Sequence, residues 1–248
     1  MNDEEKLLIG RLEELAARSR NRGIWVYSDF LTTAQQALLT SLKLGSIIFD
    51  GGYDGAERRI ACFGSEDECG YEPCPDCVWL AIEPVAKKFA DELTHRDFFG
   101  SVMTLGLRRE VLGDIIVFDN CGYLRCMSNV SEYIKENLTR VKHTTVACHE
   151  VDAPPVESVA LPDEEEFVIA SERLDALIAA VYNVSRSISK ELILQGKVSI
   201  NSILTENPAA QLNEHDTVSV RGKGRFIYEG ILRETKKGKL RASVRVHK

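Results

Sequence analysis

Apolar positions along the chain keep one period, lose it and take up another, and each change marks an element. Leu7, Leu8, Leu12 and Leu15 suit one face of a helix. TTAQQALLTSLKLG predicts a second helix, capped by Thr32 or Thr33 and ended by Gly45. SIIFDGGYDGAERRIACFG then predicts a hairpin around Gly51, Gly52 and Gly55. Further on come an apolar strand, VWLAIEPV from Val78, a helix, HRDFFGSVMTLG from His95, and two strands, DIIVFDN from Asp114 and GYLRCMS from Gly122. A helix, VSEYIKENL from Val130, and a last strand, TTVACHEV from Thr144, complete the region.

Strand, helix, strand, strand, helix, strand is the split order of ferredoxin-like domains, which RNA-recognition domains share with many unrelated proteins. GYLRCMS lacks the aromatic run on which RNA-recognition domains stack bases, so the order alone assigns no function. Tyr123 and Arg125 are the available substitutes, and packing is the simpler role for Tyr123. DAPPVESVALPDEEE, from Asp152 to Glu166, has three prolines, an acidic run and no regular period, and predicts a solvated, semi-rigid linker. Beyond it, Leu174, Leu177, Ile178 and Val181 predict an amphipathic helix with Ser171 as its N-cap. YNVS interrupts it, and a second helix from Ser185 is expected to bury Val184, Ile188 and Leu192. Gly196 ends that helix as a left-handed cap, and Lys197 opens a strand with Val198 and Ile200 inward. ILRETKKGKLRASVRVHK predicts a hairpin turning at Lys237-Gly238, with Arg241 and Arg245 outside and Leu240, Val244 and Val246 inside. The fold class is α+β and multidomain. It has an N-terminal α/β region over 1–76, an RRM-like βαββαβ middle domain over 77–151, a linker over 152–166 and a small C-terminal domain over 167–248.

Composition changes this picture in one respect. The 248 residues are 44% hydrophobic with a formal net charge of -7, enough apolar surface for two or three small cores. MNDEEK lacks the basic and apolar regions of a signal peptide, and no apolar run approaches the roughly 18 residues of a membrane span. The expected location is the cytoplasm, with no membrane partner. Seven cysteines, an odd number, argue for reduced thiols. The charge, however, is uneven. Residues 171–248 carry 14 Lys and Arg against 8 Asp and Glu, while the rest of the chain carries 17 against 30. A basic end on an acidic body points to a polyanionic partner or to a solvated lysine-rich surface.

The helix from Ser185 favours the polyanion. Arg186 and Lys190 lie four apart on one face, and like charges at that spacing cost a few tenths of a kcal/mol unless an anion sits over both. A helix N-terminus at Ser185 to Ser187 adds free backbone N–H groups and hydroxyls suited to phosphate. Past this core, Arg221, Lys223 and Arg225 alternate along RGKGRF, so the basic face is expected to be wide. ERLDALIAAVYNVSRSISKELILQGKVSIN followed by NPAAQLNEHDTVSVRGKGRF resembles the RNA-binding domain first named for a small-subunit ribosomal protein, the S-four domain. Arg173, Ser185, Arg186, Gln195, Gly196, Asn201, Asp216 and Arg221 occupy the places of its pattern. His215 stands where a glycine is common.

FDGGYDGAERR and THRDFFGSVMTLGLRREVLGDI extend the likeness: nearly the whole chain resembles the YlmH family of bacterial S-four proteins. That resemblance implies a non-enzymatic RNA binder that associates with the large ribosomal subunit carrying peptidyl-tRNA, in the rescue of stalled translation. Its partners would be ribosomal RNA and tRNA, not DNA, and a monomer is expected. It also implies that His95, Arg96, Arg108 and Arg109 belong to a motif of the middle domain. Arg173, Ser185, Arg186, Lys190 and Lys197 would form the RNA face of the last domain, with Ser187, Gln195, Arg221, Lys223 and Arg225 beside them.

Other chemistries fit less well. His95-Arg96-Asp97 has the letters of a kinase catalytic loop, but Val102 stands where its asparagine belongs and no glycine-rich phosphate loop accompanies it. Gly100, Gly106 and Gly113 instead suit close packing and a cap, and the dipole of a helix end favours Arg108 and Arg109 there in any case. Gly51, Gly52 and Gly55 lack the Lys-Ser/Thr of a Walker loop, and Arg58 and Arg59 fit an RNA contact and a surface role equally. Cys69, Cys74 and Cys77 in CGYEPCPDC have the spacing of plant-type iron-sulfur ligands, with Cys62 or Cys148 as a fourth. No second CxxC or CxxH follows at zinc-ribbon spacing, and no cofactor is expected. An RNA-modifying enzyme anchored by its S-four domain is the remaining alternative; it lacks a catalytic constellation, since residues 163–166 are linker and His149-Glu150 ends a strand without a partner.

Overall fold

In the computed structural model, residues 3–201, 203–235 and 238–247 are described. The chain forms two compact units, Met1–Ala160 and Leu161–Lys248.

The first unit opens with α1 (Asp3–Arg22), β1 (Val26–Leu31), α2 (Thr33–Ser41), β2 (Ile47–Asp50), β3 (Arg59–Phe63) and the short α3 (Glu66–Cys69). The strands form a sheet in the order β1-β3-β2. Thr32 caps α2 through a reciprocal box with Gln35, and the helix stops at Ser41, ahead of Gly45. On α1, Leu12 is buried and Leu8 and Leu15 pack beside it, but Leu7 is 76% exposed. β1 has no counterpart among the expected elements. Its inward positions include Ser28, whose hydroxyl accepts a hydrogen bond from the Ala61 N–H at 2.9 Å, so a polar residue conceals the alternation.

The same unit continues with β4 (Cys77–Pro84), α4 (His95–Met103), β5 (Leu112–Phe118), β6 (Cys121–Met127), α5 (Ser128–Asn137), β7 (Arg140–Val141) and β8 (Thr144–Val151). The antiparallel sheet runs β5-β6-β4-β8-β7. Without the two-residue edge strand β7 this is the ferredoxin-like order, as the periodicity predicts. Leu80, Ile82, Phe98, Leu124 and Ile134 form its core. Gly122 has to be glycine, because a Cβ there would lie 2.6 Å from the Phe98 ring. Arg58 is nearly buried and donates to the carbonyls of Leu112 at 2.8 Å, Phe30 at 3.0 Å and Arg109 at 2.9 Å. Asp114 accepts from the Glu57 N–H at 2.7 Å and the Tyr53 hydroxyl at 3.1 Å. These bonds tie the N-terminal sheet to the middle sheet, so the two share one unit.

DAPPVESVALPDEEE is not a solvated linker along its length. Its first half closes the first unit with α6 (Val156–Val159), packed against β5. Its second half enters β9 (Glu164–Ile169), an edge strand of the second unit. Glu165, Phe167 and Ile169 take the less exposed positions of β9, a period that the acidic run hides.

The second unit continues with α7 (Leu174–Val181), α8 (Arg186–Leu194), β10 (Val198–Ile200), β11 (Ile203–Leu204), β12 (Asp216–Val220), β13 (Gly224–Glu234) and β14 (Leu240–His247). The sheet order is β11-β10-β12-β13-β14-β9. Leu174, Leu177 and Ile178 are buried as the stripe predicts, though the N-cap position falls to Arg173 rather than Ser171. Ser185 caps α8, accepting from the Ile188 N–H at 3.2 Å. The inward face of α8 is shifted by one residue from the expected stripe: Ser189 and Ile193 are buried, whereas Ile188 is 46% exposed. The Ser189 hydroxyl donates to the Asp175 carbonyl at 2.7 Å, so a serine makes the helix contact where apolar spacing points to isoleucine. Gly196 has a positive φ and ends the helix as expected. The turn placed at Lys237-Gly238 involves Lys237, which lies outside the described residues; on either side of it β13 and β14 pair antiparallel.

Candidate nucleic-acid interface

Three of the expected cations converge on one buried carboxylate. Arg173, at the N-cap of α7, approaches Asp175 at 3.1 Å; Arg186, first in α8, at 2.9 Å; and Lys190, one turn on, at 3.9 Å. The Asp175 side chain is wholly buried, while the cationic side chains are 40%, 47% and 49% exposed. Burial pushes the Asp175 carboxyl up, and hydrogen bonds from Arg186 and Arg173 with their charge outweigh it, leaving it below its ordinary value. The anion over Arg186 and Lys190 is therefore the chain's own Asp175, which corrects the inference that their spacing requires an external phosphate. Three positive charges against one negative still leave the cluster net positive.

A second group lies around the strand ends. Lys197 follows Gly196, and its carbonyl accepts from the Arg221 N–H at 2.9 Å. Arg221 and Lys223 are exposed in the turn between β12 and β13, which positive φ at Gly222 and Gly224 permits. Arg225 is half-buried on β13, beside His247 of β14. Burial and the Arg225 charge push the His247 imidazole down. Ser187 is exposed on the first turn of α8, and the Gln195 amide donates to Glu191 at 2.8 Å.

The arginines of the C-terminal hairpin do not widen this basic surface. Arg241 pairs with Glu166 at 2.5 Å, and Arg233 reaches the same carboxylate at 3.8 Å. Arg245 binds Glu164 at 2.6 Å and Glu229 at 2.8 Å. The acids of the expected linker thus neutralise the arginines of the expected basic hairpin.

In the middle domain only part of the expected motif faces solvent. Arg96 and Arg108 are exposed, and the exposed His95 stacks on Phe99 with ring centroids 6.3 Å apart. Arg109 lies over the other part of that contact, 5.2 Å from the Phe99 centroid, and donates to the carbonyls of Leu112 at 2.7 Å and Gly113 at 3.0 Å. Burial and the neighbouring Arg58 push its guanidinium down to about 10. Arg109, like Arg58, is a structural cation. Arg125 is held by Asp50 at 3.5 Å and by the Trp79 ring at 5.5 Å, and Tyr123 is half-buried.

The cysteine cluster shows no ligand geometry. Among the described residues no three His, Cys, Asp or Glu side chains are grouped to hold a metal. Cys74 is exposed, while Cys77 packs on the Met127 sulfur at 3.7 Å, and burial pushes the thiols of Cys62 and Cys77 up to about 12. Asp175 is the site residue that the reading of cations missed. Its signal is a carboxylate set within the apolar stripe Leu174, Leu177, Ile178.

This architecture defines a class, a protein that joins a ferredoxin-like domain of RRM type to a small domain with a cationic helix pair. Comparison with known proteins agrees: residues 80–154 match the family model described as "Putative RNA-binding domain in YlmH", and residues 172–218 match the S4 domain. The chain thus carries an RNA-binding domain of the YlmH type followed, towards its C-terminal end, by an S4 domain. It is 28% identical over 227 residues to the "Ribosome-associated protein quality control protein P2" of Bacillus subtilis (strain 168), spanning 87% of this chain and 85% of the relative. A solved structure, "Cell division protein ylmH from Streptococcus pneumoniae", has a TM-score of 0.50 at 18% identity, covers 64% of this chain and 97% of its own, and supports the fold.

Proposed function

We propose that this protein binds ribosomal RNA and tRNA on the large ribosomal subunit while peptidyl-tRNA is still attached, and acts without catalysis in the rescue of stalled translation. The observation that carries the reading is the solvent-facing trio Arg173, Arg186 and Lys190, three cations held around one carboxylate on the S4 helix pair. Guanidinium and ammonium groups fixed in this way suit phosphate oxygens, which position a protein on RNA. Lys197, Arg221 and Lys223 offer further phosphate contacts, and Arg96 and Arg108 supply a second, separate set in the middle domain. Two modest contacts on one particle raise each other's effective concentration, so selection falls to places where both fit. The name of the Bacillus relative, a ribosome-associated quality control protein, supports the ribosome as that particle. The reading also includes a monomer working in the cytoplasm; no helix among the described residues is long and apolar enough to cross a membrane.

Sedimentation tests this. On low-salt sucrose gradients the protein should move with large subunits, more so after translation is stalled, and releasing peptidyl-tRNA beforehand should reduce the association. Migration with small subunits alone, or retention at the top in every condition, would refute the ribosomal part.

A further inference from the structure

We propose that Asp175 is a positioning residue for RNA, a buried carboxylate that holds Arg173, Arg186 and Lys190 at the spacing in which they engage neighbouring phosphates. This rests on the S4 unit being an RNA binder and adds a residue that makes no contact with the ligand. The geometry is specific. Oδ1 accepts from Arg173 Nε at 3.1 Å and Arg186 Nη2 at 2.9 Å, and Oδ2 accepts from Arg173 Nη2 at 3.3 Å and Arg186 Nη2 at 3.0 Å. These bonds use one edge of each guanidinium and leave other N–H groups for an outside anion. The Asp175 backbone is fixed as well: its N–H donates to the Pro208 carbonyl at 3.1 Å and its own carbonyl accepts from Ser189 at 2.7 Å.

Stability alone gives little reason for this choice of residue. A buried ion pair can often be replaced by well-packed apolar groups at no net cost, and Asp175 sits inside a run of buried leucine, alanine and isoleucine. Holding long, rotamer-rich side chains in place before the ligand arrives is a different benefit, because ordering them on binding costs conformational freedom. Asp175 therefore acts on binding in two opposed ways. It subtracts one unit from the attraction for a polyanion, and it pre-orders the groups that grip it.

The opposition makes the proposal testable. Full-length wild-type protein, Asp175→Asn and Asp175→Glu would be titrated with purified large-subunit ribosomal RNA over a range of salt, with circular dichroism giving the folded fraction. Positioning predicts that folded Asp175→Asn binds about tenfold more weakly although it carries one negative charge fewer. It also predicts a salt dependence shallower by about one to two phosphate contacts. Asp175→Glu, with unchanged charge and a longer arm, should be weakened too, and it serves as the test if the asparagine variant does not fold. Binding by Asp175→Asn as tight as wild type or tighter, or Asp175→Glu binding like wild type with only a lower melting temperature, would overturn positioning. Wild-type protein that does not bind the RNA at all would instead overturn the RNA reading and this proposal with it.

Discussion

Two groups of three cations in the C-terminal unit look alike in sequence and differ in what surrounds them. Arg173, Arg186 and Lys190 share the single carboxylate of Asp175. Arg233, Arg241 and Arg245 face Glu164, Glu166 and Glu229. The first group keeps a surplus of positive charge and the second has none. Extending the basic segment back to Leu161, where the compact unit begins, brings in Asp163, Glu164, Glu165 and Glu166 and no cation. The charge of a stretch of sequence thus overstates the charge of the surface it forms whenever another strand supplies counterions.

The sharpest way to break the comparison is Arg186→Glu. RNA affinity should fall by about a hundredfold or more, since a phosphate contact becomes a repulsion and the trio loses its centre. The exposed side chain does not make the change harmless to the fold. Facing buried Asp175 with another carboxylate should destabilise the protein by roughly 1–3 kcal/mol, read from urea unfolding. A variant as stable as wild type would show that the ion pairs seen here contribute nothing.

A smaller, opposite effect would come from the hairpin. Glu164→Gln with Glu166→Gln releases Arg241 and leaves Arg245 with Glu229 alone, so RNA binding at low salt should tighten by a few fold. Arg245→Ala alone should change affinity by less than about twofold, because that arginine is already committed. A large loss on Arg245→Ala would mean that the two groups are equivalent after all.

The smallest effect concerns pH. Because the Asp175 carboxyl lies below its ordinary value, the unfolded chain binds that proton first as pH falls. The stability it contributes is fully present above about pH 4 and is lost as pH drops through the lowered folded value. Urea midpoints should decline below about pH 4 by less in Asp175→Asn than in wild type.

The parts of the molecule that were legible in sequence are those in which one period repeats without polar interruption. The strands and helices from Val78 to Val151 show this, as do Leu174, Leu177 and Ile178 of α7. Ser28 and Ser189 occupy inward positions because each finds a backbone partner, and each misled the pattern, hiding β1 in one case and shifting the buried face of α8 in the other. β9 was obscured because three consecutive glutamates mask a strand whose other residues alternate. For the site, the cations could be found from spacing and likeness alone. Their counterions could not, since Asp175 is eleven residues from Arg186 and Glu164 is 81 from Arg245.

That last separation also sets an order of events. The helix pair gathers its charges within a short stretch of chain, whereas the edge strand β9 must wait for β14, in which Arg241 stands 75 positions after Glu166. Closing so long a loop is slow, so β9 is expected to dock after the S4 core has formed. Stopped-flow measurements should then find that Glu164→Gln with Glu166→Gln accelerates unfolding and leaves the folding rate nearly unchanged. A fragment begun at Ser171 would lack β9 altogether and leave the β14 edge open.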